Sequence, residues 1–195
     1  DTNGTNLLSY ATQYGHIDCA KLILEESQNQ LKLLTDTDTN GLCALTHLAH
    51  STIHKKSNII DLLSHYIQIL LQYTTDHEVH QYHAKLIQQC FVLSALNNNQ
   101  TVLNFLINTF IRKPNDFNRI ISLDNIDSLK GETVLTVACS NGHKAICEIL
   151  IEKTNASISS ANAKSWTPLL CAVKSGQWEI VEYLLSKNNQ IINQS

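Results

Sequence analysis

The sequence predicts an all-α solenoid of about five helix-turn-helix units with irregular insertions, and three observations predict it. The segments Gly131–Ile151 (GETVLTVACSNGHKAICEILI) and Ser165–Leu185 (SWTPLLCAVKSGQWEIVEYLL) align without gaps, with Thr133/Thr167, Leu135/Leu169, Ala138/Ala172 and Gly142/Gly176 each 34 residues apart. The same template falls on the start of the chain, where Gly4, Leu8, Ala11, Gly15 and His16 keep the offsets of Gly131, Leu135, Ala138, Gly142 and His143. In each copy a glycine separates two apolar stripes at helical spacing. No such helix pair could bury its stripe alone, so the copies must stack.

The elements follow in order. The first unit, about 1–37, is a hairpin around Gly15 followed by a long loop at Ser27–Thr37. The second, about 38–75, opens at Asp38 and Gly41 and carries Leu45, Leu48 and Ala49 in its first helix. A turn around Ile53–Asn58 leads to an elongated second helix reaching Tyr73, with Ile59, Ile60, Leu62, Leu63, Tyr66 and Ile67 on its apolar face. The third unit, about 76–110, lacks the glycine and Thr-Pro landmarks over Thr75–Gln89. An extended helix from about Glu78 to Leu96 is expected there, with Asn99 where other copies carry Gly and a second helix through Val102, Leu103, Leu106 and Ile107.

A loop at 111–127 follows, in which Pro114 ends the preceding helix. The fourth and fifth units, about 128–160 and 162–192, are the two that align without gaps. In the last, Thr167 caps a helix whose first turn tolerates Pro168, and Leu169, Ala172 and Val173 face the core. Gly176 supplies the left-handed residue that reverses the chain. The second helix, Trp178–Leu185, sets Ile180, Val181, Leu184 and Leu185 on one stripe, with Trp178 partly buried.

Composition excludes several function classes. The chain has 195 residues, 43% hydrophobic and 16% charged, enough for a core without disulfides or a structural metal. Its net charge is −3 and its only arginines are Arg112 and Arg119, which argues against nucleic-acid binding. The richest apolar stretch, Ile59–Leu71, is interrupted by Asp61, Ser64, His65 and Gln68, so no membrane insertion is expected. No secretory leader opens the segment. A chain that starts at Asp1 and contains no Met reads as a piece of a longer protein. Of six widely spread cysteines, most read as reduced, buried thiols of a cytoplasmic protein.

Candidate chemistry is sparse. On one continuous helix Cys43, His47, His50 and His54 would share a side within reach of a metal. Leu45, Leu48 and Ala49 claim the core of that helix, however, and the turn is expected before His54, so no metal and no cofactor is expected. His77, His80 and His83 drift around a helix and read as a polar face. Cys139, His143 and Cys147 are divided between two helices by the turn at Asn141 and Gly142. No phosphate loop, nucleophile elbow or HExxH motif occurs, and the segment is not expected to be an enzyme.

The landmarks Asp-x-x-Gly-x-Thr-Pro-Leu-x-x-Ala followed by Gly-His resemble the ankyrin repeat. The resemblance is strong in Asp1–Leu24, Ser128–Ile151 and Asn162–Leu185, looser in Asp38–Leu71 and in Lys85–Phe110, and it covers most of the chain. The family's proline survives only as Pro168, with Leu7, Ala44 and Val134 elsewhere. Its histidine before the alanine is replaced by Ser9, Thr136 and Leu170.

What the resemblance implies is a monomeric module that binds another protein through a concave groove and the finger tips that precede each hairpin. Carried over position by position, the partner-binding residues are Gln13, Tyr14, Asn40, His50, Asn97, Lys130, Asn141, Trp166 and Lys174, with Lys164 beside them. The Asn-, Gln-, Ile- and Leu-rich composition, with Lys far above Arg, also resembles proteins from AT-rich genomes, among them the ankyrin effectors that intracellular bacteria deliver to a host cytosol, and also protist proteins. The alternative is a substrate-recruiting domain of an enzyme whose catalytic part lies outside this segment.

Overall fold

The computed structural model of the protein describes residues 4–50, 56–72, 77–112, 121–127, 130–154 and 156–192. Every regular element among them is helical. The chain divides into two compact units, Asp1–Phe105 and Leu106–Ser195.

In the first unit, α1 (Leu7–Gln13) starts where Asn6 Oδ1 accepts the Ser9 N–H at 2.8 Å, satisfying one of the orphan donors of a helix start. Gly15 reverses the chain into α2 (Ile17–Glu25). The predicted loop at Ser27–Thr37 instead holds a helix, α3 (Gln30–Thr35). Asn29 Oδ1 caps it through the Lys32 N–H at 3.2 Å, and Leu34 is fully buried. The sequence there has a cap and an apolar anchor but none of the repeat landmarks. The Asn6 Nδ2 group donates to Leu33 O at 2.8 Å, tying α3 to the start of α1.

Next come α4 (Ala44–His50), which packs against α1, and α5 (Lys56–Gln72), which packs against α2, α3 and α4. The predicted turn ended too late: Asn58 already lies inside α5, while Ile53 lies outside the described residues. The long helix expected to Tyr73 is present as far as Gln72, and Tyr73 is again outside the described residues. As expected, one extended helix follows, α6 (His77–Leu96), and it packs on α4.

The third turn differs from the sequence reading by one residue. Asn98, not Asn99, takes the left-handed conformation, with φ 54°. Asn99 N–H donates to Ser94 O at 2.8 Å, just as His143 N–H donates to Ala138 O at 3.1 Å. Ser94, fully buried, therefore holds the small-residue position that Ala138 holds in the fourth unit. Asn tolerates the left-handed region better than other non-glycine residues, which is why it can stand in for Gly. Helix α7 (Gln100–Leu106) follows, with Val102 and Leu103 buried.

In the second unit a single π-helical turn spans Ile107–Ile111. Pro114 lies outside the described residues. Two hairpins follow: α8 (Val134–Ser140) with α9 (Lys144–Lys153), and α10 (Pro168–Lys174) with α11 (Trp178–Ile192). Helix α8 packs on α10 and α9 on α11, so the hairpins stack side by side. Thr133 and Thr136 form a reciprocal capping box at the start of α8. Thr167 caps α10 through the Leu170 N–H, with Pro168 in the first turn as expected. Gly142 turns the first hairpin at φ 77°; a Cβ there would meet Gln177 Oε1 of the neighbouring turn at 2.5 Å.

Four burial expectations fail in the last hairpin. Val173 is 57% exposed and Leu169 half-buried; the core of α10 is Pro168, Cys171 and Ala172. Leu185 is 45% exposed, although Ile180, Val181 and Leu184 are buried as predicted. Trp178 is 70% exposed and donates its indole N–H to Glu182 Oε1 at 3.1 Å. Val173 and Leu185 stay open because α10 and α11 have a stacked neighbour on one side only among the described residues.

Candidate partner-binding surface

The three fingers before α4, α8 and α10 are each organised by one buried polar side chain. In the finger before α4, Asp38 Oδ1 accepts the Asn40 N–H at 2.8 Å and the Leu42 N–H at 2.9 Å. Asp38 N–H in turn donates to Leu42 O at 2.9 Å. Its other oxygen accepts Nε2–H of His47 at 3.2 Å, with the two side chains only 4% and 6% exposed. Burial raises the Asp38 pKa, but the Leu42 and Asn40 N–H groups and His47 outweigh it and hold the carboxyl below its ordinary value. Burial lowers the pKa of His47, against the pull of Asp38.

In the finger before α8 the same role falls to Asp127, which accepts the Lys130 N–H at 2.8 Å and donates its own N–H to Glu132 O at 2.8 Å. Asp127 stands four residues before Gly131, whereas Asp38 stands three before Gly41, so this finger holds one extra residue; Ser128 lies outside the described residues. In the finger before α10, Asn162 Oδ1 accepts the Lys164 N–H at 2.9 Å and the Trp166 N–H at 3.0 Å. Asn162 N–H donates to Trp166 O at 3.0 Å. Ser165 takes φ 61° where Gly131 stands one repeat earlier. The tips these networks present, Asn40, Lys130 and Lys164, are all exposed.

Trp166, clamped at its backbone, is half-buried and carries two cations. Lys174 Nζ, from the end of α10, sits 3.7 Å from the ring centroid, and Lys164 Nζ 5.7 Å from it. A cation within about 6 Å of an indole face is attracted by the ring quadrupole. Trp166 and Lys174, predicted separately from the sequence, therefore form one cluster with Lys164. At the matching position one repeat earlier stands Glu132, whose Oε2 accepts the Asn162 Nδ2–H at 2.9 Å and the Thr136 hydroxyl at 2.7 Å.

The other predicted residues fare differently. Gln13 and Tyr14 are exposed at the end of α1, and the Tyr14 ring lies 5.2 Å from that of Tyr10. Tyr10, 44% exposed, was missed because its counterpart Val137 is buried. His50 is exposed at the end of α4. Asn97 and Asn141 use their amides locally, donating to Leu93 O at 2.9 Å and Val137 O at 2.8 Å, so each closes the end of its own helix.

The histidine and cysteine clusters are resolved as follows. Cys43 is buried and its thiol lies 3.7 Å from Thr46 Oγ1, His47 belongs to Asp38, and His54 lies outside the described residues. Among the described residues no group of three or more His, Cys, Asp or Glu is placed to hold a metal. His83 is buried rather than part of a polar face, and the side chains of His77 and His80 lie outside the described ones. Cys139 and Cys147 do sit on different helices, yet their sulfurs face each other across the hairpin at 3.6 Å. That contact and burial push the Cys139 thiol well above its ordinary pKa. Among the described residues no helix is long and apolar enough to cross a membrane.

Comparison with known proteins agrees with this architecture. A curated relative, the ankyrin repeat and KH domain-containing protein mask of Drosophila melanogaster, is 33% identical over 61 residues; the match covers 31% of this chain and 2% of that protein. The family model for ankyrin repeats, in three copies, matches residues 91–195, more than half of the chain and all of its second unit. With stacked hairpins, left-handed turns and polar-anchored fingers at the matching positions, the chain belongs to the ankyrin-repeat family.

Proposed function

We propose that this chain is a protein-binding module that engages its partner through its fingers and the first helices of its hairpins. Ankyrin repeats serve generally as protein-interaction modules, and here the surface is preorganised for that use. The observation that carries the reading is Trp166. Its backbone is held by Asn162 through two hydrogen bonds across the finger, and its ring is partly open to solvent. A rigid, amphipathic aromatic supplies contact area at little entropic cost. In the first unit Tyr10 and Tyr14 offer the same kind of side chain. The five buried thiols suit a reducing compartment, and the composition favours an effector working in a host cytosol.

Site-specific photo-cross-linking tests the binding surface. A photoreactive residue at Tyr14 or Trp166 should capture a discrete partner, whereas one at Glu148 on α9 should not. Trp166→Ala and Tyr14→Ala should weaken co-purification of that same partner. Full-strength binding by both variants, or capture only from α9, would move the surface elsewhere.

A further inference from the structure

In the second unit the lysines of the fingers and of α10 stand outside every ion pair among the described residues. Helix α8 carries no charged side chain, and α10 carries only Lys174. The fingers beside them add Lys130 and Lys164 and three carboxylates, Asp124, Asp127 and Glu132. Each of those carboxylates is engaged within the fingers: Asp124 accepts the Ser157 N–H at 2.8 Å, Asp127 the Lys130 N–H, and Glu132 the Asn162 amide and Thr136 hydroxyl. None of Lys130, Lys164 and Lys174 pairs with a carboxylate among the described residues. On α9 and α11 two lysines do have carboxylate partners. Lys144 pairs with Glu179 at 3.3 Å and Lys187 with Glu152 at 3.2 Å, and Glu148, Glu182 and Lys153 stay outside these pairs.

The unpaired cations are also held in place. Lys174 and Lys164 converge on the indole of Trp166, whose backbone Asn162 fixes. An ammonium lying against a ring keeps N–H donors directed away from it, and a ring does not neutralise its charge. What completes such a cluster is a carboxylate. We propose that the Lys164, Trp166 and Lys174 cluster docks an acidic linear segment of the partner protein, with its carboxylates paired to the two ammonium groups. This rests on the protein-binding reading above and adds the chemistry of the partner. A nucleic acid is also anionic, but Lys174 already covers the ring a base would stack on, and neither α8, α10 nor the described finger residues beside them contain arginine.

The chain itself provides the probe. It has two tryptophans, so in Trp178→Phe, a change at an exposed side chain of α11, Trp166 is the sole indole. The full chain with that change is titrated with a short capped peptide alternating Glu and Ser, with its Gln counterpart, and with single-stranded oligouridylate. A saturable change in Trp166 emission is expected with the Glu peptide and not with the other two. Lys164→Ala and Lys174→Ala should each weaken binding about three- to fivefold, the range of an exposed ion pair, and together about tenfold or more. Raising the salt from roughly 50 to 300 mM should also weaken it.

Equal response to the Gln peptide, an unchanged double variant, or tighter binding of the oligonucleotide would overturn the proposal. So would silence towards the Glu peptide. In that last case cross-linking from Trp166 still decides the protein-binding reading separately.

Discussion

Asp38 is the residue whose removal the structure prices most directly. Its carboxylate holds the Asn40 and Leu42 N–H groups and the Nε2–H of His47 while almost wholly buried. Asn40 is exposed and water can replace that contact. The Leu42 and His47 donors are less able to find one, and a hydrogen bond to a charged group is worth about 1.5–3 kcal/mol. Asp38→Ala should therefore cost about 3 kcal/mol, or roughly 6–12 °C in melting temperature for a chain of this size. Asp38→Asn keeps an oxygen for the two backbone donors, as Asn162 does naturally in the last finger, and should cost only about 1 kcal/mol.

The pH dependence gives a sharper test, because the two groups act in different windows. Asp38 has a folded pKa below its ordinary 3.8, so its contribution is present above that value and lost as pH falls through the folded pKa. His47 has a folded pKa below its ordinary 6.5, so the fold favours its neutral form, and stability erodes as pH falls from about 6.5 towards the lowered value. Asp38 opposes that erosion by attracting the protonated ring. In Asp38→Asn the loss of stability between pH 7.5 and 5 should thus become steeper than in the wild type, and the loss below pH 4 shallower. Chemical denaturation at several pH values reads both slopes. A shallower decline between pH 7.5 and 5, or an Asp38→Ala chain that melts within a degree of wild type, would refute the assignment.

Three further outcomes follow from buried groups. The Tyr66 hydroxyl is fully buried without a hydrogen-bond partner among the described residues, so Tyr66→Phe should raise the melting temperature by about 2–4 °C, the gain of removing an unsatisfied group; a fall would show that the hydroxyl has a partner. Gly142→Ala adds a Cβ at 2.5 Å from Gln177 Oε1, whereas Gly176→Ala meets nothing within 4 Å. Both bear the left-handed penalty of about 1–2 kcal/mol, so urea unfolding should show Gly142→Ala as the more destabilised of the two. In thiol titration of the native chain Cys19, the exposed cysteine, should react quickly and the five buried ones only on unfolding.

The fold was legible where local chemistry repeats. Thr133 and Thr167 cap their helices and Gly142 and Gly176 turn them because backbone geometry admits few alternatives at those points. Legibility faded where a different residue met the same demand. Ser94 replaces alanine at a close approach and Asn98 replaces glycine at a left-handed turn, so alignment by residue type slid by one position. Helix α3 escaped because it belongs to no repeat; only the Asn29 cap and the buried Leu34 announced it. Trp178 was misjudged although the helical period held the answer: it lies about 160° around the axis from Ile180, away from the buried stripe.

The candidate surface was legible by position but not by chemistry, and Glu132 and Trp166 show why. They occupy equivalent sites on consecutive fingers, so backbone geometry treats them alike. Glu132 is absorbed by the Asn162 amide of the next finger, while no further finger follows Trp166 among the described residues, and its ring gathers Lys164 and Lys174 instead. Whether a finger side chain faces a partner thus depends on what the next finger offers it. Asn97 and Asn141 show the same dependence within one helix: an amide able to reach the carbonyl four residues back closes its own helix end. A lysine cannot do so through its charge alone, and Lys174, at the end of α10, turns to the indole. Interaction capacity in this chain therefore collects where a finger side chain is left without a neighbour that consumes it.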